Sequence, residues 1–161
     1  MNKVLTKVSD IDAAQVVNLE EAKSHLRITS DDDDERILAE VDAAISWAED
    51  FMARPVRRSQ YILFLEAWQT INRRPSIRLM GAVASVDSIK VRDSTGTLQT
   101  VDSSDYEVVI GTHSTIIREV VNKAWPALYQ YLDAVQVTFT AGWTGNDVPY
   151  PVKQAILLML G

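Results

Sequence analysis

The sequence predicts an α+β fold: an N-terminal helical pair, an antiparallel β unit of about six short strands, and a truncated C-terminal helix packing on the first two. Three observations lead to it. Apolar residues recur at helical spacing between Asn18 and Ala53, the period drops to two after Pro55, and helical spacing returns after Pro151. A length of 161 residues suits one domain. The expected organisation is a single domain over 1–161, with a helical part at 18–54 and 151–161 and a β-rich insertion at 55–150.

The first ten or more residues show no clean period and read as an arm. Order begins near Asn18, which stands three residues before Glu21 as an N-cap with an acid at N3. A short helix follows to about Arg27. Ile28, Thr29 and Ser30 break it, and Ser30 or Asp31 is expected to cap a longer helix reaching about Ala53. On a 100° wheel this helix gathers Ile37, Leu38, Val41, Ala44, Ile45, Ala48, Phe51 and Met52 into one core-facing arc. Trp47 falls just off its edge, where its ring covers the core margin, the favoured reading, or is buried by a neighbouring subunit.

After Pro55, strands are expected at Tyr61 to Trp68, Val83 to Val91 and Thr97 to Val101, the last two joined by the turn Asp93, Ser94, Thr95, Gly96. Tyr106 to Ile110, Thr115 to Arg118 and Val135 to Ala141 complete the six. In the last, Val135, Val137 and Phe139 share one face and Gln136, Thr138 and Thr140 the other. Pro149 and Pro151 introduce a helix from about Val152, cut off at Gly161.

Composition narrows function by exclusion. Hydrophobic residues make up 47% and charged residues 24%, ordinary values for a folded chain in water. No apolar run approaches a membrane span, and MNKVLTKVSD lacks the apolar stretch of a secretory signal, so no membrane contact and a cytoplasmic origin are expected. There is no cysteine, hence no disulfide framework, thiolate zinc site or cysteine nucleophile. A net charge of -6 argues against a chain built to grip phosphate backbones.

That charge is divided. From Asn18 to Ala53 eleven acids face Lys23, Arg27 and Arg36, whereas from Arg54 to Arg78 six arginines face the single acid Glu66. Most such blocks are solvated surface. The functional alternative is a head-to-tail contact between copies, which closes into a ring when the rotation permits. Its candidate residues are Arg54, Arg57, Arg58, Trp47, Glu49 and Asp50.

Catalytic and metal motifs are missing. Asp31, Asp32, Asp33, Asp34 and Glu35 resemble a calcium loop only in composition: Arg36 and Asp42 occupy the positions where an EF-hand needs glycine and glutamate. An acidic helix start explains them better. His25 and His113 lack zinc-ligand spacing, and His113 falls in a predicted turn from Gly111 to Ser114. No nucleophile elbow or phosphate loop occurs. Asp102, Asp105 and Glu107 could form a carboxylate pair for a small hydrolase, although turn chemistry accounts for the two aspartates. Trp68, Trp125 and Trp143 could stack on a sugar or a base, yet buried or interface tryptophans are commoner. No catalytic residue, cofactor or metal is assigned.

The segment VNLEEAKSHLRITSDDDDERILAEVDAAISWAEDFMARPV resembles the opening of the head-tail connector (adaptor, or head-completion) proteins of long-tailed bacteriophages and prophages. The likeness continues through GAVASVDSIKVRDSTGTLQTVDSSDYEVV, KAWPALYQ, AVQVTFTAGW and VPYPVKQAILLML, covering about Val17 to Leu160. It implies a non-enzymatic structural protein of the virion neck, assembled in the bacterial host cytoplasm. Such a protein forms a ring, commonly dodecameric, from subunits that can be monomeric when free. The ring docks under the portal protein and offers its far side to a stopper or tail-completion protein. DNA passes through without specific binding, and Asp31 to Glu35 are then candidates for an acidic surface facing it. Related chains continue the last helix past the point equivalent to Leu160, so no portal-binding residues are assigned, and the resemblance implies a proline-rich turn where Leu79, Met80, Gly81 and Ala82 stand. The alternatives are another neck or tail-completion protein, or a small carbohydrate-binding β module.

Overall fold

In the computed structural model, residues 3–10, 16–111 and 114–161 are described. The chain divides into two compact units, Asp10–Arg58 with Gly142–Gly161, and Met1–Ser9 with Ser59–Ala141.

The first unit is helical. Helix α1 (Leu19–Leu26) opens with the expected capping box: Asn18 Oδ1 accepts the Glu21 N–H at 2.8 Å, and Glu21 Oε2 accepts the Asn18 N–H at 3.1 Å. It closes at Arg27 in the left-handed conformation, φ 58°. Helix α2 (Asp34–Met52) starts later than Ser30 or Asp31 would have it. Its N-cap is Asp33, with no side-chain cap bond. The preceding acids are drawn elsewhere, Asp31 to Lys23 and Asp32 to Ser30, so their carboxylates do not serve the helix amides. Helix α3 (Tyr150–Leu158) begins behind Pro149, with Pro151 in its first turn, where a missing N–H costs nothing.

These helices share one core, as expected: Ala22 of α1, Ile37, Val41, Ala44, Ile45 and Ala48 of α2, and Ile156 and Leu157 of α3 are buried together with Val16, Val17, Val56 and Val148. The α2 arc was drawn too wide. Phe51 is 76% exposed and Met52 37%, because the helix outruns the core it covers in its last turn. Trp47 is 57% exposed, outside the core margin.

The second unit is all β. Its strands are β1 (Lys3–Asp10), β2 (Ser59–Leu65), β3 (Gln69–Ile71), β4 (Arg74–Met80), β5 (Val83–Arg92), β6 (Leu98–Thr100), β7 (Tyr106–Ile110), β8 (Ser114–Glu119) and β9 (Val135–Ala141). They form a five-stranded sheet ordered β1-β2-β9-β5-β6 and a four-stranded sheet ordered β3-β4-β8-β7. The registered pairs are antiparallel. Leu63 and Leu65 of β2, Ile77 and Leu79 of β4, Ile89 and Val91 of β5, Ile117 of β8, and Val135 and Val137 of β9 are buried in one core shared by both sheets.

Three strands go beyond the six expected. The predicted arm contains β1, an edge strand whose pairing partner lies some fifty residues downstream, so its own period carries little signal. The rest of that arm, 1–2 and 11–15, lies outside the described residues. Strands β3 and β4 form a hairpin closed by Asn72 and Arg73, both at positive φ (52° and 64°), as a two-residue type I′ turn requires. Arginine in the second position hides this turn from a search for Asn-Gly. Met80 ends β4, and Gly81 at φ 100° carries the chain into β5, doing the work expected of a proline-rich turn.

Candidate functional site

The acidic run builds a clamp. Lys23 of α1 is only 7% exposed, and its Nζ donates to Asp31 Oδ1 at 2.5 Å and Asp34 Oδ1 at 2.8 Å. Those two hydrogen bonds raise the lysine well above its ordinary range, and Lys23 in turn lowers Asp31. Asp33 pairs with Arg36 at 3.2 Å, while Asp32 and Glu35 are exposed. The five acids thus divide into a structural set that joins α1 to α2 and a solvent-facing remainder.

The predicted interface arginines also divide. Arg57 is held within its own subunit: NH1 donates to Asp42 at 2.7 Å, and NH2 to Ser46 at 2.8 Å and Glu49 at 3.4 Å. Glu49 Oε1 additionally accepts the backbone N–H groups of Val56 and Arg57, each at 2.8 Å. Glu49 and Arg57 therefore fasten the end of α2 to the strand-like segment after it. Arg54 and Arg58 are half-buried, and Asp50 is exposed. Trp47 stacks on Phe51, centroids 5.1 Å apart, on the solvent side of α2.

The chain closes this unit at Gly142. Trp143 N–H donates to the Val56 carbonyl at 2.9 Å, and the Trp143 carbonyl accepts from Arg58 N–H at 3.1 Å. Gly142 has φ +99°, and a Cβ there would sit 2.3 Å from the Arg57 carbonyl oxygen. Only glycine fits that approach. Trp143 is packed against the helical core.

The other tryptophans serve packing. Trp68 and Trp125 stack at 4.5 Å, and their indole N–H groups donate to the carbonyls of Pro126 and Pro75 at 3.3 and 3.1 Å. Tyr106 stacks on Trp125 at 6.3 Å. This cluster ties the loop after β8 to the sheets, its rings stacked on one another.

The three carboxylates considered for catalysis have separate structural partners. Asp102 accepts Ser104 N–H at 2.8 Å as the cap of a single 3-10 turn, Asp105 pairs with Lys123 at 2.7 Å, and Glu107 pairs with Arg118 across strands. His25 lines an open cleft between α1 and α3, beside the Lys153–Glu21 pair at 2.8 Å. His113 and the turn predicted around it lie outside the described residues. Among the described residues no cluster of three metal-ligating side chains occurs. Among the described residues no helix is long and apolar enough to cross a membrane.

What sequence reasoning missed is the outer face of the four-stranded sheet. Register places Arg78, Ile116 and Val109 in one cross-strand row, with Arg74 and Met80 on the same face of β4. Arg74 and Arg78 are exposed, as are Met80 (45%) and Val109 (51%). The signal was there only in part: Ile77, Arg78, Leu79 and Met80 alternate apolar and outward-facing positions, whereas Pro75 and the buried Ser76 break the period before them.

Comparison with known proteins agrees with the resemblance. Residues 16–92 match the family described as phage gp6-like head-tail connector protein, from the end of the N-terminal segment through α1, α2 and β5. Among solved structures, the chain is similar to one in the neck of an empty gene transfer agent particle computed with C6 symmetry, with TM-score 0.77 and 22% identity over 98% of this chain and 81% of that one. It is similar to a chain of the virion of a native gene transfer agent particle, with TM-score 0.70 and 23% identity over 97% and 81%. A third similar chain lies in the neck of the native particle computed with C12 symmetry, with TM-score 0.70 and 23% identity over 98% and 80%. No curated protein matches.

Proposed function

We propose that this chain is a structural subunit of a particle neck, a head-tail connector that joins a capsid vertex to the tail and lets DNA pass. The observation that carries the reading is the connector-family match over 16–92, supported by fold likeness to neck chains over nearly the whole length. In this reading the chain works as a ring of copies, docks against a portal protein on one side and a stopper or tail-completion protein on the other, and assembles in the host cytoplasm. It acts by contact rather than catalysis. The carboxylates that could have served chemistry are engaged in capping and ion pairs, and this supports the same conclusion. The exposed remainder of the acidic turn, Asp32 and Glu35, faces the DNA path and keeps it from gripping phosphate.

Deletion of the gene from its particle-producing strain tests the proposal. The expected result is separate heads and tails with few joined particles, restored by supplying the chain in trans. Normal joined particles in the deletion would overturn it.

A further inference from the structure

Helix α2 is apolar beyond its core face. A stripe of Ala39, Ala43, Trp47 and Phe51 at i, i+4 spacing winds beside that face and is exposed along its length. Trp47 and Phe51 lie with ring planes 7° apart, and each keeps a face open to water. An exposed apolar stripe that ends in two large rings is a surface built to be covered. The outer face of the four-stranded sheet is a second exposed surface: Arg78, half-buried Ile116 and Val109 share one row, with Met80 on one side of it, the Arg118–Glu107 pair on the other, and Arg74 farther along β4. Among the described residues neither Arg74 nor Arg78 has an ion-pair partner.

We propose that these two surfaces are the two halves of one contact, the solvent stripe of α2 on one copy seating on the outer face of the four-stranded sheet of the next. Charge selects a second copy as the occupant. Of the six acids in Asp34–Met52, Asp34, Glu40, Asp42 and Glu49 pair within the chain, which leaves Glu35 and Asp50 exposed, whereas Gln69–Met80 carries three exposed arginines and no acid. Asp50 is exposed beside the α2 stripe, and Arg78 stands at the end of the row that Ile116 and Val109 continue, with Arg74 on the same face. Opposite charge around matching apolar centres steers the encounter and fixes its register, while the buried rings supply the holding energy. Because the two surfaces differ, the contact is heterologous and propagates from copy to copy until it closes. This inference rests on the ring reading and deepens it by naming the faces that meet.

The absence of cysteine makes the test direct. Ala43→Cys and Val109→Cys each place one thiol on an exposed position of one face. Treated with a short bismaleimide, a mixture of the two single variants should give the mixed dimer, and the double variant a ladder of linked copies. Adding Phe51→Glu, which leaves the α2 core face untouched, should cut the linked product about tenfold or more. A ladder indifferent to Phe51→Glu, or Ala43→Cys chains linked chiefly to each other, would overturn the pairing. Rings in negative stain without the mixed product would reject the pairing and leave the ring reading standing. A chain that stays monomeric by light scattering at every concentration and gives no linked product would overturn the pairing as a contact these faces make by themselves, and would leave the ring reading to the gene deletion.

Discussion

Glu49 Oε1 accepts the backbone N–H of Arg57 at 2.8 Å, while its Oε2 lies 3.4 Å from the same residue's guanidinium. One carboxylate thus serves both the main chain and the side chain of a residue eight positions away, and the Val56 N–H as well.

Removing that carboxylate leaves two half-buried N–H groups without an acceptor. Glu49→Ala should therefore destabilise the protein by about 2 kcal/mol or more, read from chemical denaturation. Glu49→Gln retains an amide oxygen and should lose less than half as much. Equal losses would mean that the ion pair, not the backbone contact, is what matters. A charge reversal at Arg57 would perturb folding along with any assembly, so Arg54 and Arg58 are the cleaner positions for probing that face.

Gly142→Ala is expected to be among the most damaging single-methyl additions. The new Cβ would meet the Arg57 carbonyl at 2.3 Å, and φ +99° is hostile to any L side chain. Relief requires opening the Arg57–Trp143 bridge. A cost of about 1 to 3 kcal/mol follows from such strain, with red-shifted tryptophan emission if Trp143 loses its packing. Wild-type stability in the variant would show that this crossing is soft.

The class of fold was legible because periodicity is local. Asn18 and Glu21 declare the start of α1, and Val135, Val137 and Phe139 declare a strand, without reference to anything distant. Strand β1 was not legible, since its place at a sheet edge is set by β2, far along the chain. The exposure of Phe51 escaped for a related reason: a helical wheel gives direction but not where the core ends. The candidate site suffered most. A run of acids followed by a run of arginines suggests contact between copies, yet Arg57 meets Asp42 and Glu49 in its own unit, and Lys23 takes Asp31 and Asp34. Sequence shows charge, and only geometry shows which charges are already spoken for.

Asp93 organises the turn between β5 and β6. Its Oδ1 accepts from Thr95 N–H at 2.8 Å, Thr95 Oγ1 at 2.6 Å and Thr97 N–H at 3.0 Å, and its Oδ2 accepts from Gln99 at 3.0 Å. These bonds, led by those from Thr95 and Gln99 side chains, hold the carboxyl far below the usual range. A carboxyl lowered by folding stabilises the fold above its unfolded pKa of about 3.9, and loses that contribution as pH falls through the folded value. Asp93→Asn should accordingly lower Tm at about pH 7, with the deficit shrinking only below about pH 4. A deficit unchanged down to about pH 2 would show that the geometry of the acceptor, not its charge, holds the turn.

The remaining prediction concerns DNA, and the arginines make it a sharp one. Arg73, Arg74 and Arg78 are exposed together on the β3–β4 hairpin, and such a cluster could meet phosphate as readily as a carboxylate. Counterion release would then give duplex binding that weakens steeply with salt. The whole chain opposes this, with a net charge of -6, and a connector that held the genome would obstruct its passage. Free protein should therefore show negligible affinity for duplex DNA even at about 50 mM salt, where electrostatic binding is strong. Fluorescence anisotropy with a labelled duplex measures it. Micromolar binding that disappears in Arg73→Ser/Arg74→Ser/Arg78→Ser would reassign this face from a neighbouring copy to the phosphate backbone. Binding that survives the triple change would instead place the contact elsewhere and overturn the view of a chain built to let DNA slide past.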